Sequence, residues 1–284
     1  MHSLKRIGRG GVKAAAGELV GRYRRATWRG RPLPDLVIVG AQKAGTSSLF
    51  AYLSQHPQLL PSYTKEVHFF DGGLNHKVDD YQKGAAWYRA HFPVRGAGAR
   101  AKAFEASPLY MFNPLVPGRM FALMPEVKIV ALLRSPTRRA VSHYFHVRRR
   151  GQEPLPIYEA LRAEESRLAP ALGREDYKSD AFIRHSYKSR GLYREQLERF
   201  LEYFPRRQLL VLCSEEFFAR PEATLGRVFE FVGVDAAFEV PDLRPRNASK
   251  EKSEVEPKVY EYLDDYFRPH NKALYELLGE DYGW

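Results

Sequence analysis

A glycine-rich segment near residue 40 has the residue types that bind an anionic group. It reads Gly40-Ala41-Gln42-Lys43-Ala44-Gly45-Thr46-Ser47-Ser48-Leu49, and it separates a short apolar run from a helical stretch. Glycines let the backbone turn sharply and approach a ligand, and the free amides at the start of a helix bind anionic oxygens. Lys43 adds a mobile positive charge, and Thr46 and Ser47 add hydroxyl donors. The segment therefore predicts a phosphate- or sulfate-binding loop.

The order of residues in this loop disfavours nucleotide hydrolysis. A nucleotide-hydrolysing P-loop reads G-x-x-x-x-G-K-[ST], with the lysine directly after the second glycine. Here Lys43 comes two residues before Gly45. Two other apolar runs continue into Arg134 and Ser214, where a hydrolase of this kind needs an Asp that holds its metal ion. We therefore predict an anion-binding loop that works without a metal.

Three further residues could handle a proton or a second anion. Glu66 and His68 are two residues apart, so in an extended chain their side chains emerge on one face. Both residue types serve as general bases. The alternatives are an exposed loop carboxylate for Glu66 and a structural histidine for His68. Arg134 follows an apolar run at the position where open α/β sheets bind ligands, and a guanidinium group grips phosphate well.

The elements that must position these residues alternate along the chain. Buried strands are predicted at 36–39, 102–105, 129–133 and 209–213. Helices are predicted at 46–55, 81–90, 136–150, 157–167, 193–203, 221–232, 257–267 and 271–278. Short apolar strands that alternate with helices are typical of a parallel sheet covered on both faces. The fold class is therefore α/β, with a central parallel sheet flanked by helices in one domain over residues 35–284.

The net charge of +11 is concentrated in two segments. Residues 1–34 contain nine Lys and Arg against one Glu, and residues 134–150 contain six Arg and no acid, which leaves the rest of the chain at −3. The protein is therefore a mildly acidic globule with two basic features. This distribution, together with the lack of a nucleic-acid-reading motif, disfavours a nucleic-acid partner.

Residues 1–34 are predicted to form a flexible basic arm. Apolar and basic residues separate weakly on a helical wheel, and five glycines weaken the helix further. The arm has no apolar core of the kind found in secretory signals. A frayed leader, an attachment to an anionic lipid or polymer surface, and a cleaved targeting peptide all fit this composition. One cysteine and no long apolar stretch lead us to expect a cytoplasmic protein, with peripheral membrane contact through the arm as the further expectation.

Taken together, the motifs resemble those of a known family. The segment 42–49 resembles the 5′-phosphosulfate loop of sulfotransferases that use 3′-phosphoadenosine 5′-phosphosulfate (PAPS). The resemblance continues in order through residues 65–71, 87–88, 105–110, 133–136, 269–272 and 277–279, so it spans about residues 35–284. The branch that the chain resembles most closely comprises the glycosaminoglycan (heparan sulfate) sulfotransferases and their bacterial relatives.

The resemblance implies a role for each matched residue. It makes Glu66 the general base, with His68 lining the same site, and it is consistent with Lys43 stabilising the charge that develops on the bridging oxygen. It assigns Arg134 and Ser142 to the 3′-phosphate, and Lys250 to a basic loop that closes over the cofactor phosphates. The other cofactor-binding residues that it implies are those of the loop: Gln42, Lys43, Ala44, Gly45, Thr46, Ser47 and Ser48.

The chain departs from the glycosaminoglycan branch at two positions. The segment Asn247-Ala248-Ser249-Lys250 lacks the glycine of the Ser-Lys-Gly-Arg pattern that this branch often carries. Ala106 stands where these enzymes usually have a lysine linked to the acceptor site and to catalysis. These departures leave the cofactor assignment unchanged, and whether Ala106 excludes a glycosaminoglycan acceptor stays open.

These observations predict an enzyme that transfers a sulfuryl group from PAPS, by in-line displacement and without a metal, to a hydroxyl group of a carbohydrate or glycoconjugate. An amine is the less favoured acceptor group. The alternatives are a P-loop-type nucleotide kinase and a non-enzymatic protein that binds polyanions through its basic segments.

Overall fold

The computed structural model describes residues 9–95, 101–246 and 254–284, and it confirms the predicted parallel sheet. Its five strands are β1 (Leu36–Gly40), β2 (Leu59–Pro61), β3 (Lys102–Ala106), β4 (Lys128–Leu133) and β5 (Leu209–Cys213). Every strand pair is parallel, and the order across the sheet is β2-β3-β1-β4-β5. Of the five strands in the described ranges, only β2 was missing from the sequence prediction, because three residues ending in a proline carry no periodic pattern.

Helices cover the sheet and form the rest of the domain. They are α1 (Arg9–Ala26), α2 (Thr46–Leu53), α3 (Gly84–Arg89), α4 (Val116–Leu123), α5 (Pro136–Arg148), α6 (Ile157–Arg162), α7 (Glu164–Gly173), α8 (Asp180–Arg184), α9 (Tyr193–Leu201), α10 (Ser214–Ala219), α11 (Pro221–Val232) and α12 (Pro257–Leu278). No helix within the described ranges has the length and hydropathy needed to cross a membrane.

Helix α12 is continuous through Pro269, although the sequence analysis predicts two separate helices at 257–267 and 271–278. A proline inside a helix costs about 3 kcal/mol. The helix continues because one of its faces is buried on both sides of the proline, with Val259, Leu263 and Phe267 before it and Leu274 after it. The energy of packing this apolar stripe offsets the local cost. The single helix predicted over 157–167 is instead divided into α6 and α7.

The sheet places its ligand-binding edge at the centre of the domain. Residues 36–39 of β1 are fully buried, as the run of apolar residues predicts. The chain builds β2 and β3 on one side of β1, and β4 and β5 on the other. The crevice outside the carboxyl ends of β1 and β4 is therefore a topological switch point, which is where open α/β sheets bind ligands.

The end of the basic arm packs on the domain. Arg31 is 2% exposed, and its guanidinium group donates to the carbonyl oxygen of Phe92 at 2.6 Å and to the hydroxyl of Tyr63 at 3.0 Å. The Arg24 guanidinium lies 3.5 Å from the centroid of the Tyr63 ring. The last residues of the arm therefore contact the domain, and the flexibility of residues 1–34 stays a prediction.

Candidate active site

A cavity of about 1250 Å³ opens at the carboxyl edge of the sheet. The structure brings most of the predicted site residues together around it: Gln42, Lys43, Ala44, Gly45, Thr46, Ser47, Glu66, His68, Arg134 and Ser142. Ser48 is the exception, since it is fully buried and its hydroxyl accepts a hydrogen bond from the backbone amide of Arg246 at 2.9 Å. Ser48 therefore anchors a neighbouring segment, because helix periodicity turns it away from the cavity. Lys250 lies outside the described residues.

The phosphate loop has the geometry that its sequence predicts. Gly45 has a φ of 102°, and a Cβ added there would lie 2.8 Å from the ring of Phe218. Helix α2 begins at the next residue, Thr46, so the free amides of its first turn lie beside the cavity. Ser214 donates to the carbonyl oxygen of Ala44 at 2.7 Å. A residue of the β5–α10 junction thus holds a loop that follows β1.

Cations accumulate around Lys43. Burial lowers the pKa of Lys43 to about 8, helped by the positive charges of Arg149, Arg134 and Arg150. Arg134 also donates from Nη1 to the carbonyl oxygen of Lys43 at 3.0 Å, and burial lowers its own pKa. Neighbouring cations repel one another, which lowers their pKa values, and a bound anion would relieve this repulsion. This fits the anion-binding role predicted for the loop.

One face of α5 extends the cationic surface along the cavity. Arg138, Ser142 and His146 line the cavity at intervals of four residues. Arg149 and Arg150 line it too, whereas Arg148 turns away and donates to the carbonyl oxygen of Glu153 at 2.6 Å. All three arginines at 148–150 are exposed to solvent, and two of them, Arg149 and Arg150, also line the cavity. The helix ends at Arg148, so helical periodicity does not direct the two that follow.

Glu66 and His68 share a face, but the backbone between them is not extended. Their φ values are 66° and 55°, so both lie in the left-handed region. His68 Nε2 is 3.6 Å from Glu66 Oε2, and His68 Nδ1 hydrogen bonds to Asp71 Oδ2 at 2.6 Å. Lys65 also pairs with Glu66. The two side chains therefore lie on one side, as the sequence predicts, but a tight turn brings them together where an extended chain was expected.

The ion pairs set the charges of this turn, which we call the base turn (residues 65–71). Burial raises the pKa of Glu66, but hydrogen bonding from His68 and the charge of Lys65 outweigh burial and lower this pKa to about 2. Burial lowers the pKa of His68, but hydrogen bonds with Asp71 and Glu66 outweigh burial and raise this pKa to about 10. At neutral pH the turn therefore carries an ionised carboxylate beside an imidazolium.

Strand β3 and the residues after it hold the base turn in place. The amide of Glu66 donates to the carbonyl oxygen of Ala106 at 2.9 Å. The amide of Phe69 donates to the hydroxyl of Tyr110 at 2.8 Å, and that hydroxyl donates to Glu105 Oε1 at 3.2 Å. Glu105 is fully buried, and burial raises its pKa. The motif at residues 105–110 therefore supports the base turn, which is the motif at residues 65–71.

Sequence reasoning missed several residues that line or order the site. Arg138 and His146 could have been found from their four-residue spacing to Ser142, and Asp71 from its position one helical turn after His68. Burial lowers the pKa of His146 to about 4, assisted by the charges of Lys43 and Arg150, so its imidazole is neutral at pH 7. In the part of the chain that the structure describes, no three His, Cys, Asp or Glu side chains are grouped so as to hold a metal ion.

Comparisons with known proteins agree with this geometry. The model of the sulfotransferase domain family matches residues 33–272. Human heparan sulfate glucosamine 3-O-sulfotransferase 6 is 30% identical over 276 residues, which cover 89% of this chain and 74% of that protein. Mouse bifunctional heparan sulfate N-deacetylase/N-sulfotransferase 2 is also 30% identical, over 87% of this chain and 29% of its own length.

A solved structure supports the same assignment. The crystal structure of a sulfotransferase from Alicyclobacillus acidocaldarius has a TM-score of 0.72 to this chain, with 34% sequence identity. The match covers 88% of this chain and 97% of that one. The residues that the family model matches include the sheet, the phosphate loop and the base turn. The chain therefore belongs to the sulfotransferase family and is a transferase enzyme of that class.

Proposed function

We propose that this enzyme transfers a sulfuryl group from PAPS to a hydroxyl group of a carbohydrate or glycoconjugate, with Glu66 as the general base. One observation carries the proposal: a single cavity holds an anion-binding loop surrounded by cations and, on another segment, an ionised carboxylate. Donor binding and proton removal need these two features in one place. Hydroxyl acceptors are preferred over amines in this proposal.

The donor would be held at two anion-binding sites. The amides at the start of α2, Lys43 and the hydroxyls of Thr46 and Ser47 would bind the 5′-phosphosulfate. Arg134 and Ser142 would bind the 3′-phosphate, and Arg138 lies one helical turn before Ser142 on the same cavity wall. The depressed pKa of Lys43 supports this assignment, since a dianion would relieve the repulsion among the cations around it. Lys250 stays a proposed contact.

Each catalytic residue has a separate task in this scheme. Glu66 accepts the proton of the acceptor hydroxyl as the acceptor oxygen forms its bond to sulfur. Lys43 stabilises the negative charge on the bridging oxygen as its bond to sulfur breaks and adenosine 3′,5′-bisphosphate leaves. The donor supplies the activated sulfuryl group. The imidazolium of His68, fixed by Asp71, orients Glu66 and keeps it ionised until the acceptor arrives.

The acceptor class is the finer part of the proposal. The names of two relatives refer to heparan sulfate, which supports a carbohydrate acceptor. Besides the predicted site residues, the cavity lining includes the cationic residues Arg149 and Arg150 and the apolar residues Leu74, Leu109 and Ile183. Such a lining suits a sugar ring, which has both polar edges and apolar faces. Ala106 removes the lysine of the glycosaminoglycan branch, so shorter glycoconjugates belong in the test.

The experiment is a transfer assay with labelled PAPS against polysaccharides, short glycosides, glycolipids and phenols. We expect label on at least one carbohydrate acceptor with the wild type and with Glu198→Gln, a control that alters a surface carboxylate paired with Arg194. Lys43→Ala and Glu66→Gln, once shown to be folded, should transfer at least about 100-fold more slowly. Wild-type rates in both variants, or magnesium-dependent phosphate transfer from ATP, would refute the proposal.

A further inference from the structure

Arg190 is a buried cation whose hydrogen bonds in the described structure all go to neutral groups. It is 3% exposed. Its Nε donates to Ser186 Oγ at 2.7 Å, and its Nη2 donates to the carbonyl oxygens of Phe182 and Ile183 at 3.0 and 2.7 Å. Its Nη1 donates to Gln42 Oε1 at 2.6 Å. A buried guanidinium group without a carboxylate partner is costly, so its retention calls for an explanation.

These contacts join two different walls of the cavity. Gln42 belongs to the phosphate loop, whereas Phe182 and Ile183 belong to α8, and Gln42 and Ile183 both line the cavity. Gln42 and α8 are therefore far apart in sequence, but both contact the same arginine side chain. One buried side chain thus ties the phosphate loop to α8.

The contact with Gln42 lies next to a strained residue. Lys43 has a φ of 72°, a conformation that a non-glycine residue keeps only where its surroundings enforce it. Arg134 holds the carbonyl oxygen of Lys43, and Ser214 holds that of Ala44. Arg190 holds the side chain of the residue before Lys43. The loop is thus fixed at three successive residues.

The electrostatic setting favours an anion in the loop. Arg139 is fully buried close to Arg190, and among the described residues its Nε and Nη1 have no hydrogen-bond partner. Burial lowers the pKa of Arg190 to about 9, and the charge of Arg139 adds to this effect. Two buried cations beneath an anion-binding loop stabilise a bound anion through a medium that screens charge poorly.

We propose that Arg190 is a positioning residue for sulfuryl transfer, which fixes Gln42, and through it Lys43, in the geometry that receives the anionic group of the donor. The inference rests on the proposed function for the identity of the donor. The side chain acts through Gln42 and contributes to the reaction by ordering the loop.

The test is a double-mutant cycle on the pair, with PAPS as the varied substrate. Gln42→Ala removes the contact from the cavity side and leaves the buried core untouched, whereas Arg190→Lys keeps the charge but loses the planar fork. We expect each variant to raise the KM for PAPS by about tenfold, since a hydrogen bond to a charged group is lost. The double variant should have the KM of the more affected single variant.

Arg31→Lys is the matched control, because Arg31 is also a buried arginine bonded to neutral oxygens but lies away from the cavity. It should lower the melting temperature and leave the KM for PAPS unchanged. The inference would be overturned if Arg190→Lys lowered only the melting temperature, or if the effects of the two substitutions on KM multiplied in full. If adenosine 3′,5′-bisphosphate failed to stabilise the wild type against heat, the proposed function would fail first, and the inference with it.

Discussion

The phosphate loop and the base turn build their parts of the active site in different ways. Residues 40–48 form the loop from one contiguous strand–turn–helix segment, in which Gly45 and the amides at the start of α2 create the anion site locally. The base turn depends instead on β3 and the residues after it, through Ala106, Glu105 and Tyr110. The backbone of the loop is therefore formed by neighbours in sequence and only held from outside by Arg134, Ser214 and Arg190. The base turn depends on distant residues for its placement.

Both regions hold key residues in strained backbone conformations. Within the described residues, four non-glycine residues have a positive φ, and three of them are Lys43, Glu66 and His68. Strain of this kind concentrates at functional sites, where the surrounding structure maintains it. Under the proposed function the two regions should nevertheless separate in experiments, because the loop would govern donor affinity and the base turn would govern the rate of transfer.

The largest effect is expected from Glu66→Gln. The amide keeps the size of the side chain but cannot accept the acceptor proton, so kcat should fall by about 10²–10⁴-fold. The affinity for adenosine 3′,5′-bisphosphate, measured by calorimetry, should change by less than about twofold, or about 0.4 kcal/mol. The reason is that the substitution removes no contact to this ligand. An equal loss of affinity and rate would show that the two regions do not separate.

Arg134→Ala should produce the opposite pattern. Loss of a guanidinium group that binds phosphate should raise the KM for PAPS by about 10–100-fold, with a smaller change in kcat. Ser142→Ala, which removes one neutral donor from the same wall, should have a several-fold effect, as is typical of a single neutral hydrogen bond of about 1 kcal/mol. A fall in kcat at an unchanged KM would place Arg134 at the reacting group and not at the 3′-phosphate.

The pH dependence of kcat/KM should report the protonation of Lys43 in the enzyme without bound donor. The pKa of Lys43 is lowered to about 8, by burial and by nearby arginines, so Lys43 loses its charge above this pH. The value of kcat/KM for PAPS should therefore be level near neutral pH and fall as the pH rises above about 8. Glu66 adds no acidic limb near neutrality, because its pKa is lowered to about 2. In Lys43→Arg the alkaline fall should disappear, and its persistence would assign that limb to another group.

The smallest effect is expected from the support of the base turn. Ser107 donates to the buried Glu105 at 2.7 Å. Ser107→Ala should cost about 1–3 kcal/mol of folding stability, since the carboxylate loses a buried partner. It should lower kcat only several-fold, with donor affinity unchanged, because Tyr110 still holds the turn. A change in donor affinity would contradict the separation of the two regions.

The contrast also explains what the sequence could predict. Lys43 and Gly45 lie within one short motif, so the loop was predictable from local patterns, and so were the strands around it. The sequence predicts that Glu66 and His68 share a face, but it assumes an extended chain. The structure has left-handed backbone at both residues, which tertiary hydrogen bonds maintain. The role of Arg190 was out of reach, because its contact with Gln42 spans 148 residues.

Boundary effects account for the other differences. Arg149 and Arg150 reach the cavity because α5 ends before them, and helix ends are poorly predicted by periodicity. Helix α12 continues through Pro269 because tertiary packing outweighs a local preference. The cellular location and the part played by the basic arm stay predictions, since neither depends on the geometry of the cavity.

The most direct test of the central claim is calorimetry of the wild-type enzyme with adenosine 3′,5′-bisphosphate, adenosine 5′-monophosphate and ATP with magnesium. A cavity with separate sites for a 5′-anion and a 3′-phosphate should bind the bisphosphate at least about 100-fold more tightly than the monophosphate, as expected for loss of charge-assisted hydrogen bonds. ATP with magnesium should bind weakly. Equal affinity for the two adenosine phosphates, or tightest binding of ATP with magnesium, would contradict the account.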